Sequence, residues 1–149
     1  MENTTPIRTI LDNKGPALWS VTPESKVYDA IALMAEKNIG ALPVLKDGIL
    51  QGMLTERDYT RKVILKGRSS QATAAADIMQ PAAITVGPQD SVQACLQLMT
   101  NHRLRHLPVL EDSKLVAILS IGDLVNWIIG TQDATIRHLE NYLTGNHLT

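Results

Sequence analysis

Thr55 and Ser120 each close an apolar run, and each is followed three residues later by an aspartate, Asp58 and Asp123. A hydroxyl at the first turn of a helix lies beside free backbone N–H groups and the positive end of the helix dipole. Together these favour a phosphate or a sugar oxygen. A carboxylate in the same turn can accept from two neighbouring hydroxyls, the arrangement that selects a ribose diol. The same tetrad is also a capping box, in which a hydroxyl and an acid three residues on do no more than start a helix. On these residues alone both readings stand.

Cationic side chains are unevenly placed around the two tetrads. Arg103, Arg105 and His106 occupy positions where the matching first half of the chain has Asn38, Gly40 and Ala41, while Arg57 faces Gly122 in the same comparison. A guanidinium binds phosphate through a planar fork and keeps its charge. Arg103, Arg105 and His106 are therefore candidates to engage phosphates with Arg57 assisting; the alternative is that they are solvated or paired with Glu111 and Asp112. No catalytic or metal residue is assigned. His102 and His106 are four apart, but a helix-to-strand change falls between them, and only His138 and His147 remain. Cys95 falls on an apolar stripe and reads as core. Arg61, Lys62, Lys66 and Arg68 read as a solvated run, and Trp19 and Trp127 as packing anchors.

A duplication positions these residues. Residues 21–58 recur at 86–123 in one register and without a gap. Leu42-Pro43-Val44-Leu45 meets Leu107-Pro108-Val109-Leu110, Leu33-Met34 meets Leu98-Met99, and Asp47 meets Asp112. Each copy opens on an apolar piece, Ala17–Val21 or Ala82–Val86, read as a strand that Pro23 or Pro88 ends. An amphipathic helix follows, with Val27, Ala30, Ile31 and Met34 on one face, or Val92, Cys95, Leu96 and Met99. Two strands then flank a turn, Lys46-Asp47-Gly48 or Glu111-Asp112-Ser113. A second helix starts near Glu56 or Ile121. The fold class is α+β, two β-α-β-β-α units packed as a pseudo-twofold pair. The boundaries are 7–68 for the first unit with its lead-in, 69–130 for the second, and 131–149 for a C-terminal helix and tail. Ile136, Leu139 and Leu143 share a face of that helix, with Gly145 as its stop.

Composition narrows the class. Of 149 residues, 44% are hydrophobic, enough for a core, and only 3% are aromatic, so the core must be aliphatic. A formal net charge of −1 argues against a nucleic-acid-coating protein. One cysteine excludes an intrachain disulfide, and neither a signal peptide nor a membrane span is evident, so a cytoplasmic, non-membrane protein is expected.

The repeated order, Gly40-Ala41-Leu42-Pro43-Val44, Arg105-His106-Leu107-Pro108-Val109 and the two Thr/Ser-x-x-Asp tetrads resemble a tandem cystathionine-β-synthase (CBS) domain pair, of the stand-alone kind. The resemblance covers about residues 7–130. It implies a regulatory module that requires no cofactor and binds adenine nucleotides (AMP, ADP, ATP, NAD(H) or S-adenosylmethionine) in clefts between the copies, signalling energy or redox state to an unidentified partner protein. By the same resemblance Thr55, Asp58, Ser120 and Asp123 hold phosphate or ribose. Ser20 and Thr85 touch base or ribose, and Ala41, Pro43, His106 and Pro108 wall the adenine. A homodimer through the helices around Ile31 and Leu96 is expected. Where the family motif begins with Gly, as at Gly52, the second copy has Ala117. Two other classes stand beside this reading. A nucleotide-acting enzyme lacks a nucleophile–base pair, a metal set and a P-loop here. A constitutive scaffold would have no need to keep both aspartates.

Overall fold

In the computed structural model, which describes residues 3–143, the two copies are built alike. After α1 (Arg8–Lys14), copy one comprises α2 (Val27–Lys37), β1 (Ala41–Lys46), β2 (Ile49–Thr55) and α3 (Glu56–Tyr59), which runs on as a π-helical turn over Thr60–Ile64. After α4 (Ala75–Ile78), copy two comprises α5 (Val92–His102), β3 (His106–Glu111), β4 (Lys114–Ser120) and α6 (Ile121–Leu143).

Each strand pair is an antiparallel hairpin in the same register, Leu42 opposite Leu54 and Leu107 opposite Leu119, with the same irregularity after Val44 and Val109. Both turn residues of each hairpin have positive φ, Asp47 (51°) and Gly48 (78°), Asp112 (50°) and Ser113 (64°). That is the backbone a two-residue hairpin loop with the strands' own twist requires.

The opening apolar pieces do not form strands of any length. Each makes a single parallel bridge, Val21 to Val44 and Val86 to Val109. Prolines explain why. In the first copy Val21 N–H donates to Pro43 C=O, and Leu45 N–H donates to Val21 C=O. The next rung upstream would need an N–H at Pro43, and the next downstream an N–H at Pro23; neither exists. Pro108 and Pro88 trim the second copy in the same way. The helices also begin later than the prolines, at Val27 and Val92.

The amphipathic stripes pack as expected: Val27, Ala30 and Met34 are buried in one core, Val92, Cys95 and Met99 in the other. Ile31 and Leu96, the residues expected to face a second copy of the chain, are half-buried against their own cores. Cys95 is fully buried, and burial followed by the nearby Asp90 charge pushes its thiol up to about 11.

The lead-ins are exchanged. Ile7 and Ile10, grouped by sequence with copy one, are buried in the core of copy two, and Ile7 N–H donates to Asp90 C=O. Ala75 and Ile78, which precede copy two, are buried in the core of copy one, where Val27 N–H donates to Thr73 C=O. Residues 15–20 and 79–85 are therefore straps that cross from one copy to the other. The expected separate C-terminal helix is instead the unbroken continuation of α6, with Ile136, Leu139 and Leu143 exposed along it; Gly145 lies outside the described residues. No helix among the described residues is long and apolar enough to cross a membrane.

Candidate functional site: two clefts between the copies

Two cavities of about 430 and 510 Å³ lie between the copies. Both fall within the roughly 300–1,000 Å³ usual for small-molecule sites. Each joins the strap and first strand of one copy to the Thr/Ser tetrad of the other. Cleft one is lined by Lys14, Ala17, Leu18 and Trp19, by Gly40, Ala41 and Pro43, and by Ile118, Ser120 and Asp123 from the opposite copy. Cleft two is lined by Met53, Thr55, Glu56 and Arg57, and opposite them by Gln80, Ala83, Ile84, Arg103, Arg105 and Pro108. Gly40 and His106 line both, so they are the partition between the clefts.

Of the residues expected from sequence, cleft one gathers Ala41, Pro43, His106, Ser120 and Asp123, and cleft two gathers Thr55, Arg57, Arg103, Arg105, His106 and Pro108. All three arginines thus face one cleft. None of them forms an ion pair among the described residues, and Glu111, one of the expected alternative partners, pairs with Arg8.

Three expected residues do not line a cleft. Ser20 and Thr85 are exposed, while Trp19 and Ile84, one position earlier, form the walls. The strap residues before them, Ala17–Trp19 and Pro81–Ile84, line the clefts without a break, and each wall ends one residue short of Ser20 or Thr85. Trp19 is consequently a cleft wall rather than a core anchor. It is 40% exposed, with the Lys37 ammonium 4.2 Å from its ring centroid.

Asp58 is the third, and it is only 2% exposed. Its Oδ2 accepts from Thr55 N–H (3.0 Å) and the Thr55 hydroxyl (2.9 Å), closing a capping box with Thr55. Its Oδ1 accepts from Gln80 Nε2 at 2.7 Å and lies 3.3 Å from Lys62 Nζ. Asp123 keeps the capping geometry, with Ser120 N–H donating to Oδ2 at 2.9 Å, but opens onto cleft one. Lys14 Nζ donates to the same oxygen at 2.8 Å and to Ile118 C=O at 2.7 Å.

These surroundings set the charges. Burial raises the Asp123 carboxyl, but the Lys14 hydrogen bond, the Ser120 N–H and the Lys14 charge outweigh it, so the group is held below its usual value and is ionised at neutral pH. His106 is pushed down by burial first and then by the Lys14 charge, which Asp123 partly offsets, with Arg105 adding a smaller push down. It is neutral at pH 7. The positive field of cleft two therefore rests on the arginines, and His106 acts there as a wall rather than as a cation.

Arg103 carries a further signature. It caps α5 in the left-handed region (φ 54°), where Asn38 caps α2 at φ 55°. Asn tolerates this conformation better than Arg. Arg103→Asn is expected to raise stability by up to about 1 kcal/mol while weakening phosphate binding in cleft two. Thermal unfolding and calorimetric titration of the variant check both signs.

Lys14 and Gln80 have no role in the sequence pattern read above, and Trp19 figures there only as a packing anchor. Their signal lay in the mismatches just upstream of the repeat, where Lys14 meets Met79 and Gln80 meets Gly15.

The model of the CBS domain matches this chain twice, over residues 14–64 and 75–130. The CBS domain-containing protein CBSX3, mitochondrial, of Arabidopsis thaliana is 40% identical over 98% of this chain and 75% of its own length. The CBS domain-containing protein YhcV of Bacillus subtilis is 34% identical over 78% of this chain and 82% of its own. A solved CBS-domain protein from Burkholderia ambifaria MC40-6 superposes with a TM-score of 0.82 at 48% identity, covering 86% of this chain and 96% of that one. With both halves matched and one geometry repeated in each, the chain belongs to the CBS-domain family as a tandem pair.

Proposed function

We propose that this CBS pair is a regulatory module that binds adenine nucleotides in its inter-copy clefts and signals their level to a partner protein. The observation that carries the reading is the convergence of Arg57, Arg103 and Arg105 on cleft two, where they outnumber the one carboxylate on the wall, Glu56, and form no ion pair among the described residues. Three guanidiniums that form no ion pair suit the phosphates of ADP, ATP or NAD(H). Cleft one, with one ammonium already held by Asp123, suits a ligand of lower charge such as AMP. The apolar walls, Pro43 with Trp19 and Pro108 with Ile84, suit a flat base. Both straps cross between the copies, so a ligand that contacts a strap also contacts the joint between them. Regulation requires that the ligand favour one arrangement of that joint over another.

Calorimetric titration with AMP, ADP, ATP, NADH and S-adenosylmethionine tests the reading. ATP is expected to bind, and Arg105→Ala to weaken it by roughly tenfold while flattening its salt dependence, since one charge-assisted contact is lost. Absence of binding by every adenosyl ligand sinks the proposal. Formation of a product from ATP or NADH would move the chain to the nucleotide-acting enzymes instead.

A further inference from the structure

The two tetrads are alike in sequence but not in availability. Asp58 accepts three hydrogen bonds, from Thr55 N–H, the Thr55 hydroxyl and Gln80 Nε2, and its Oδ1 also lies 3.3 Å from the Lys62 ammonium, which donates to Ile78 C=O. A carboxylate offers about four acceptor positions, so most of them are taken, and the ammonium crowds the rest. It is also buried and forms no part of the cleft-two wall, whereas Gln80 does. Gln80 Nε2, bonded to Asp58 Oδ1 at 2.7 Å, thus lies between the buried carboxylate and the cleft. Asp123 differs on each count. Its side chain is 22% exposed, it lines cleft one, and the described hydrogen bonds to it end on Oδ2, leaving Oδ1 toward a ligand. The phosphate-binding groups are distributed the opposite way, three arginines on cleft two and Lys14 alone on cleft one.

We infer that the clefts read different parts of a nucleotide: cleft one reads the ribose hydroxyls through Asp123, and cleft two reads the phosphates and is blind to the 2′-hydroxyl because Gln80 occupies Asp58. This division rests on the proposed nucleotide-binding function and narrows it. Ligands of cleft two are nucleoside di- and triphosphates of either sugar, and ligands of cleft one are ribonucleosides and their monophosphates. The block is specific to the strap of copy two. The position matching Gln80 in the other strap is Gly15, which has no side chain to offer.

The test isolates each cleft in the full chain. Ala17 and Ala83 are exposed and line cleft one and cleft two respectively, so Ala17→Trp fills the first and Ala83→Trp the second. In the Ala17→Trp protein, ATP and 2′-deoxyATP are expected to bind within about threefold of each other. In the Ala83→Trp protein, adenosine is expected to bind about tenfold or more tighter than 2′-deoxyadenosine, the worth of a hydrogen bond to a charged group. Adding Gln80→Gly to Ala17→Trp should create a preference for ATP over 2′-deoxyATP of about tenfold, since it exposes Asp58. A tenfold ribose preference in Ala17→Trp alone, equal binding of the two nucleosides in Ala83→Trp, or no gain on adding Gln80→Gly each overturns the division while leaving nucleotide binding intact. No binding of any of the four compounds by the wild-type chain overturns the parent function, and the division with it.

Discussion

Asp58→Ala is expected to destabilise the protein by about 3 kcal/mol, whereas Asp123→Ala is expected to lose only about 1 kcal/mol. The two aspartates sit at matching positions, so sequence treats them as equals. At Asp58 the substitution removes a buried carboxylate that satisfies Thr55 N–H, the Thr55 hydroxyl and the Gln80 amide at once. Lys62 is 42% exposed and can turn to water, so its loss adds little. The Gln80 amide, on an exposed side chain, can do the same, but the half-buried Thr55 N–H and hydroxyl cannot turn away freely, and leaving a buried donor unpaired costs about 1–3 kcal/mol beyond the lost cap. At Asp123 the partners are Lys14, itself 36% exposed, and one backbone N–H, so the change removes little more than a helix cap. For a chain of this size 1 kcal/mol moves the melting temperature by about 2–4 °C, so roughly 6–12 °C is expected for Asp58→Ala. Calorimetric melting of the two variants side by side checks it, and equal losses would show that Asp58 is not the structural keystone inferred here. Asp58→Ala is accordingly a poor probe of ligand binding, and Asp123→Ala a fair one.

Gly52→Ala is expected to destabilise the protein by about 1–3 kcal/mol, the range for forcing a methyl into a packed site. A Cβ built on Gly52 would lie 2.5 Å from Gln80 C=O and 3.1 Å from Met79 Sδ. The carbonyl cannot step aside freely. Gln80 and Met53 exchange two backbone hydrogen bonds of 2.8 Å, which hold the strap against β2. Copy two has no such bridge beside Ala117, because Lys14 reaches Ile118 C=O with its side chain instead. The departure from the family motif at Ala117 therefore has a physical reason. The reciprocal Ala117→Gly is expected to lose about 0.5–1 kcal/mol through backbone entropy alone. Paired denaturant unfolding curves distinguish the two. A Gly52→Ala protein as stable as wild type would mean the strap shifts without resistance. A destabilised one should also bind ATP less well, since residues 80–84 wall cleft two.

Much of this was legible before any coordinates. The repeat, the hairpins with their Asp-Gly and Asp-Ser turns, the buried faces of α2 and α5 and the tetrad caps all follow from local patterns, and the structure repeats them in both copies. Where each strap leaves its cleft wall is not legible, because a segment that bridges at a single residue carries no pattern to read, and Ser20 and Thr85 fall just beyond the walls. The burial of Asp58 is hidden for a different reason. Its fate depends on Gln80, which is 22 residues away in sequence and reaches it only because the strap turns back on β2. The exchange of lead-ins is invisible to pattern altogether. Ile7 and Ile10 would show the same apolar spacing whichever core they filled. The arginines needed the fold to collect them, since Arg57 and Arg105 belong to different copies and meet only across a cleft.

That exchange bears on how such a chain arose. A single copy standing alone would keep its lead-in attached but leave the groove for a lead-in unfilled by its own segment. Two identical single copies, each lending its first helix to the other, would close both grooves and form both clefts at once. The tandem chain is that reciprocal embrace with one covalent join added over residues 66–70. In geometry the pair is equivalent to a fused dimer with exchanged lead-ins, not to two self-contained units in a row. The join then released the two clefts from identity, allowing Gln80 and three arginines to appear on one side of the pseudo-twofold and not on the other.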